Sequence, residues 1–231
     1  RQRQMCIRDR PQTDIYLAPT QEIKRHLMKE GTRAEDILVT GIPVRQQFLD
    51  ADCRQKRERN RTRRVLIMGG GLGLMPDLKE LLEKLHSMQG VESVVITGKN
   101  HKMYEEWVNR YEDVEVLGYT ENISRYMRGA DLVITKAGGI TLFEILHSQV
   151  PLFVIHPFLE QEMNNARYAA EKGFAKVIWG RREDYIPELE KLLSDEKMME
   201  EMTGNVRRAC KEMIEVSLDE AVGIMEERMT A

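Results

Sequence analysis

The chain has 231 residues, 32% of them charged and 42% hydrophobic, with a net charge of −3 at pH 7. That length can bury the core of one or two domains, and the composition is that of a folded chain rather than a disordered one. The slight acidity makes no general case for nucleic acid, and no apolar run approaches the ~20 residues that cross a bilayer.

Cys6, Cys53 and Cys210 lie far apart with no CxxC pair, so neither a disulfide framework nor a zinc site is indicated. A reducing cytoplasm fits that pattern. Residues 1–10, RQRQMCIRDR, have four arginines, no period and no apolar segment behind them. They are not a signal peptide; they read as a foreign or disordered tract, or as a frayed terminus.

Residues 14–40 read as strand, helix, strand. IYLA is followed by Thr20 as N-cap, a helix to Glu30, Gly31 as its stop, and then ILVT. In the next segment, GIPVR, Ile42 is held extended ahead of Pro43 and Arg45 closes the turn. Residues 50–64, DADCRQKRERNRTRR, lack apolar periodicity. They form either a solvated linker or a set of cations for anionic lipid head groups, at roughly 1 kcal/mol each near such a surface.

A second domain is expected from residue 65. VLIM runs into the turn Gly69-Gly70-Gly71-Leu72-Gly73, and Pro76 and Asp77 open a helix. The turn is not a dinucleotide fingerprint, because Leu74 stands where the third glycine belongs, and it lacks the GK[ST] ending of a P-loop. Further alternation follows: strand 93–97, helix 101–110, strand 114–117, the turn Gly118-Tyr119-Thr120, a short helix over 122–128, strand 132–135. After the twin glycines at 138 and 139 come helix 141–147, strand 151–155, a polar loop, helix 162–172 and a last strand ending at Trp179. About six parallel strands with helices between them predict an α/β fold with a doubly wound, Rossmann-like sheet. Three helical stretches close the chain at 185–193, 195–214 and 217–229, the last opened by a Ser217/Glu220 capping box.

The chemistry concentrates in ADLVITKAGGITLFEILHSQVPLFVIHPFLEQEMNNARYAAEKGFAKVIW, residues 130–179. A strand that breaks at two glycines and restarts as a helix leaves unbonded N–H groups and a positive dipole end aimed at one spot, which suits a phosphate. One crossover later the loop of Glu160, Gln161 and Glu162 leaves the next strand on the same rim. Each residue also has a plain structural reading. Thr141 and Glu144 have capping-box spacing, and Glu160, Glu162 and Asn165 fit an ordinary polar helix start. His147 ends a helix where a cation is favoured; His156 and Lys136 end strands on the ligand rim.

KAGGITLFE followed by PFLEQEMNNA, together with GIPVRQQF and the glycine turn after residue 68, resembles the nucleotide-sugar domain of two-domain, GT-B glycosyltransferases that make glycolipids. These are the diacylglycerol glucosyltransferases and the monogalactosyldiacylglycerol synthases, with the lipid-linked GlcNAc transferase of peptidoglycan synthesis more distant. The resemblance implies that residues 11–49 are a remnant βαβ unit of the acceptor-binding domain and that 65–231 bind the nucleotide sugar. It also implies a last helix packed back on the first domain. It implies transfer of a hexose from a UDP-sugar to a lipid acceptor such as diacylglycerol. Arg45 is then expected at the nucleotide or its diphosphate, Gly71 in the glycine turn, and the backbone of Tyr119 opposite the uracil. Gly139, Ile140 and Thr141 face the diphosphate, Glu144 the ribose hydroxyls, Gln161 and Glu162 the hexose hydroxyls, and Asn165 supports that loop. No Asp-x-Asp appears, so the expected chemistry uses helix dipole and backbone N–H groups with no metal and no cofactor. The general base belongs to a part of the first domain that this sequence does not match, so the chain alone is expected to bind UDP-sugar weakly and turn over little. The expected place is the cytoplasm, peripheral on the inner face of the membrane. Two other readings stay open: a UDP-sugar epimerase on the same scaffold, and a binding subunit active only with a separate partner.

Overall fold

The computed structural model describes residues 14–49, 62–69, 78–180 and 184–230. The calls on residues 1–10, on the linker up to residue 61, on Gly71 and on the helix opening at Pro76 and Asp77 lie outside them. The chain divides into two units, Val44–Cys210 and a smaller one of Arg1–Pro43 with Lys211–Ala231.

The larger unit is built on a six-stranded parallel sheet: β3 (Arg63–Met68), β4 (Val91–Ile96), β5 (Val114–Leu117), β6 (Leu132–Thr135), β7 (Leu152–Ile155) and β8 (Ala175–Ile178), in the order β5-β4-β3-β6-β7-β8. β6 and β7 are buried at every position, which is why they read as unbroken apolar runs rather than alternating ones. Helices lie between consecutive strands: α2 (Leu78–Ser87), α3 (His101–Trp107), α4 (Ile123–Gly129), α5 (Gly139–Ser148) and α6 (Glu160–Glu171). α2 buries Leu78, Leu81, Leu82 and Leu85, an i, i+3, i+4, i+7 stripe. After β8, α7 (Ile186–Ser194) and α8 (Glu196–Glu212) add Leu189, Leu192, Met199 and Met202 to the same core. The order of strands reverses between β3 and β6, the switch point where open α/β sheets take ligands at their carboxyl ends.

The smaller unit pairs β1 (Tyr16–Ala18) with β2 (Ile37–Val39) in parallel, joined through α1 (Gln21–Lys29). The Thr20 hydroxyl caps α1 from the Ile23 N–H at 3.3 Å, and Gly31 at φ +99 ends the segment, both as the sequence predicts. α9 (Leu218–Thr230) belongs to this unit. Arg228 donates to Asp36 at 2.8 Å and to the Glu35 carbonyl at 2.8 Å, and the Val39 carbonyl accepts from the Glu215 N–H at 2.9 Å. The closing helix thus packs within the smaller unit, beside β2 and the residues that precede it. Ser217 and Glu220 form the expected capping box, with bonds of 2.9 and 3.2 Å.

Several element bounds shift. β3 starts at Arg63, two residues inside the expected linker, because both arginines extend the β4 ladder opposite Val91 and Glu92. β4 begins at Val91 rather than at residue 93, and α3 stops at Trp107, with Asn109 left-handed at φ 58.

Candidate functional site

β6 ends at Thr135, and Lys136, Ala137 and Gly138 carry the chain into α5, whose N-cap is Gly138. The helix therefore begins at Gly139, two residues before the sequence reading placed it. That shift removes the capping box: Thr141 is the third residue of the helix, and no side chain caps it. A Cβ on Gly138 would lie 3.9 Å from the Thr141 hydroxyl, so hydroxyl and turn already sit in contact. Among the described residues, no hydrogen bond is found to the N–H of Gly139, Ile140 or Thr141. These are the first donors of a ten-residue helix at the switch point, with Ile140 60% exposed beside them.

Glu144, a turn further on, is only 5% exposed. Its carboxylate does not cap the helix; it accepts from the Nε–H (3.1 Å) and Nη2–H (2.9 Å) of Arg45. Both bonds fall on Oε1. Burial pushes the Glu144 carboxyl above its ordinary range, and the Arg45 guanidinium works against that rise. Arg45 in turn lies over the ring of Phe48, 5.4 Å from its centroid.

α6 starts at Glu160, so Gln161 and Glu162 stand on its first turn rather than in a loop before it. Two acidic residues there complement the helix dipole, which accounts for the early start. Gln161 is exposed, whereas Glu162 Oε2 is buried with no hydrogen-bond partner among the described residues. An orphaned carboxylate oxygen is costly unless a ligand or water satisfies it. Asn165, one turn along, donates from Nδ2 to the Ala137 carbonyl at 2.8 Å. That bond fastens the α6 turn to the glycine turn of α5 and brings Thr141 and Gln161 to one rim.

Tyr119, 66% exposed, follows β5 on the same edge of the sheet. Lys136 Nζ lies 5.3 Å over the Phe158 ring, a contact of two rim residues. His156 is left-handed at φ 48, and its ring meets Tyr185 edge-on at 6.1 Å. His147 departs from expectation. Burial lowers its pKa, with Arg128 adding to the effect, which works against the cation that its place at a helix end favours. A separate cavity of about 630 Å³ opens at the opposite edge, where strands begin, beside Arg63, Asp131 and Gln149; it holds none of the candidate residues. No group of three or more His, Cys, Asp or Glu placed to hold a metal occurs among the described residues, and no helix there is long and apolar enough to cross a membrane.

Sequence reasoning missed Gln47. It lies in a short turn, Gln46–Phe48, and uses both ends of its amide. The only signal was its place two residues after Arg45 in GIPVRQQF.

The strand order and the helix opening at the switch point define a doubly wound, Rossmann-like α/β class. The chain belongs to glycosyltransferase family 28: residues 64–218 match the family's C-terminal domain. A processive diacylglycerol beta-glucosyltransferase of Bacillus licheniformis is 35% identical over 207 residues, covering 84% of this chain and 53% of that protein. The chain thus spans about half the length of the curated relatives it matches. Among solved structures, the glycotransferase of kitacinnamycin shares the fold with a TM-score of 0.64 at 20% identity, over 86% of this chain and 51% of that one. A Listeria monocytogenes protein assigned as a UDP-N-acetylglucosamine 2-epimerase shares it at 0.62 and 19%, over 83% and 54%.

Proposed function

We propose that this chain is the donor-binding half of a hexosyltransferase that moves a sugar from a UDP-sugar to a lipid acceptor such as diacylglycerol. The observation that carries the reading is the α5 opening: N–H groups of Gly139, Ile140 and Thr141 with no hydrogen-bond partner among the described residues, at the switch point and tied through the Asn165–Ala137 bond to the turn bearing Gln161 and Glu162. The diphosphate sits on the N–H groups of Gly139, Ile140 and Thr141, where the helix dipole stabilises the charge that grows as the anomeric bond breaks. Glu144 accepts from the ribose hydroxyls through Oε2 while Arg45 holds Oε1. Glu162 and Gln161 accept from the hexose, and the Glu162 oxygen that has no partner among the described residues supports that assignment. The backbone at Tyr119 faces the base, and Gly71 is assigned to the same donor. No metal or cofactor is called for, since the amides and dipole supply the positive field.

Acceptor and general base are assigned to sequence beyond the half that this chain shares with its relatives. The basic residues between 50 and 64 are proposed to meet an anionic membrane surface on its cytoplasmic side. Relatives named as diacylglycerol glucosyltransferases support the lipid acceptor over the epimerase reading. Backbone amide NMR during titration with UDP-glucose tests the assignment. Shifts centred on Gly139, Ile140 and Thr141 are expected, and shifts confined to the 630 Å³ cavity at the other edge contradict it. Product analysis by NMR separates transfer from epimerisation.

A further inference from the structure

Residues 44–49 follow Pro43 as a short strap, held at three points within the larger unit. Phe48 is its anchor, 2% exposed. Arg45 reaches Glu144 on α5. Gln47 reaches the other way: its Nε2 donates to the Glu121 carbonyl at 2.8 Å, and its Oε1 accepts from the Ser124 hydroxyl at 2.8 Å. Glu121 ends the turn that begins at Gly118, and Ser124 lies in the first turn of α4. Next to Glu121 the Asn122 N–H donates to the Thr120 hydroxyl at 3.1 Å, which closes the chain locally over residues 120–122.

From this geometry we infer that Gln47 is a positioning residue for base selection: its two-sided amide fixes the turn carrying Tyr119 relative to the element that carries Arg45. The inference rests on the donor-binding reading above and adds to it a residue with no expected ligand contact. A base read by backbone groups is discriminated only if those groups are held to a fraction of an ångström, because a misplaced donor or acceptor pairs no better with the right base than with the wrong one. Tyr119 is largely exposed and packs little of its own surface, so the turn depends on its end-point bonds for placement. Two bonds from one rigid amide fix orientation as well as distance. The strap then ties base recognition to ribose recognition, since Arg45 orients Glu144 from two residues away.

The test compares the affinities of UDP and ADP for the full chain by calorimetry, in wild type, Gln47→Ala, Gln47→Glu and Ser124→Ala, with thermal midpoints measured alongside. Gln47→Ala is expected to weaken UDP about fivefold, the equivalent of one neutral hydrogen bond, and ADP by much less, narrowing the preference. Gln47→Glu keeps the Ser124 bond but sets a carboxylate against the Glu121 carbonyl, and is expected to lose as much selectivity as the alanine variant. Ser124→Ala, which removes one bond of the two, is expected to lose less. A purely structural Gln47 would lower the thermal midpoint and leave the UDP-to-ADP ratio untouched; that result overturns the inference alone. A wild-type chain that does not prefer UDP overturns the donor-binding reading and the inference with it.

Discussion

Glu144 shows how one buried carboxylate answers to two opposed influences. Burial raises its pKa, and the Arg45 guanidinium pulls it down without cancelling the rise. A carboxyl whose folded pKa lies above its unfolded value binds protons more readily when folded, so its burden on stability is present above the folded pKa and relieved as pH falls through it. On the proposed donor-binding reading, ligand binding runs the other way, because the ribose hydroxyls are assigned to the Glu144 carboxylate as acceptor. Affinity for UDP-glucose, whose diphosphate has no ionisation near neutrality, is therefore expected to fall on acidification. In Arg45→Met the fall should begin at higher pH, since the lowering influence is gone, and Arg45→Lys should restore part of the wild-type profile. Calorimetry across a pH series checks this. Identical profiles in wild type and Arg45→Met would contradict the role given to Arg45.

At the scale of elements, helix ends decide where the site residues stand. α6 closes as a Schellman motif: the Phe174 N–H bonds the Ala169 carbonyl at 3.1 Å, and the Gly173 N–H bonds Ala170 at 2.9 Å. Gly173 is left-handed at φ +73, and a Cβ there would meet Asn205 Nδ2 at 2.7 Å, the same amide that donates to the Gly173 carbonyl. Gly173→Ala is expected to cost about 1–3 kcal/mol and lower the thermal midpoint by several degrees. α5 ends in the left-handed region at Gln149, φ 53, where a side chain is a burden. Gln149→Gly is expected to be neutral or to stabilise by up to about 1 kcal/mol, read by chemical denaturation. A loss of stability there would mean that the Gln149 side chain carries a packing role. These ends also explain what was legible in advance. β6 and β7 were recognised from continuous apolar runs, and α1 from Thr20 and Gly31, because each signal is local. The start of α5 was not: twin glycines are read as a break, yet Gly139 enters the helix since Gly138 alone makes the turn. Glu144 matched the capping-box spacing, but its partner lies 99 residues away at Arg45, a pairing that only the folded sheet creates. Gln47 was invisible for the same reason, since its partners at Glu121 and Ser124 are 74 and 77 residues distant.

For the whole molecule, the governing fact is the share of its relatives that the chain spans, 53% of the Bacillus licheniformis glucosyltransferase. On the reading proposed above, which assigns the acceptor and the general base to the rest of the relatives' length, this chain binds the donor without transferring the sugar. With UDP-glucose and diacylglycerol vesicles, the purified chain is expected to release UDP far below the ~1–1,000 per second of ordinary enzymes. Release at such rates would show that acceptor and base are already present. The proposed donor site depends on the α5 opening and Glu144 acting together on one nucleotide. Its most direct measurement is calorimetric titration of wild type and Glu144→Ala with UDP and ADP. Wild type should prefer UDP, and Glu144→Ala should lose roughly 10- to 100-fold in UDP affinity, the equivalent of charge-assisted bonds to the ribose. Equal affinity for the two nucleotides, or an undiminished affinity in Glu144→Ala, would contradict it.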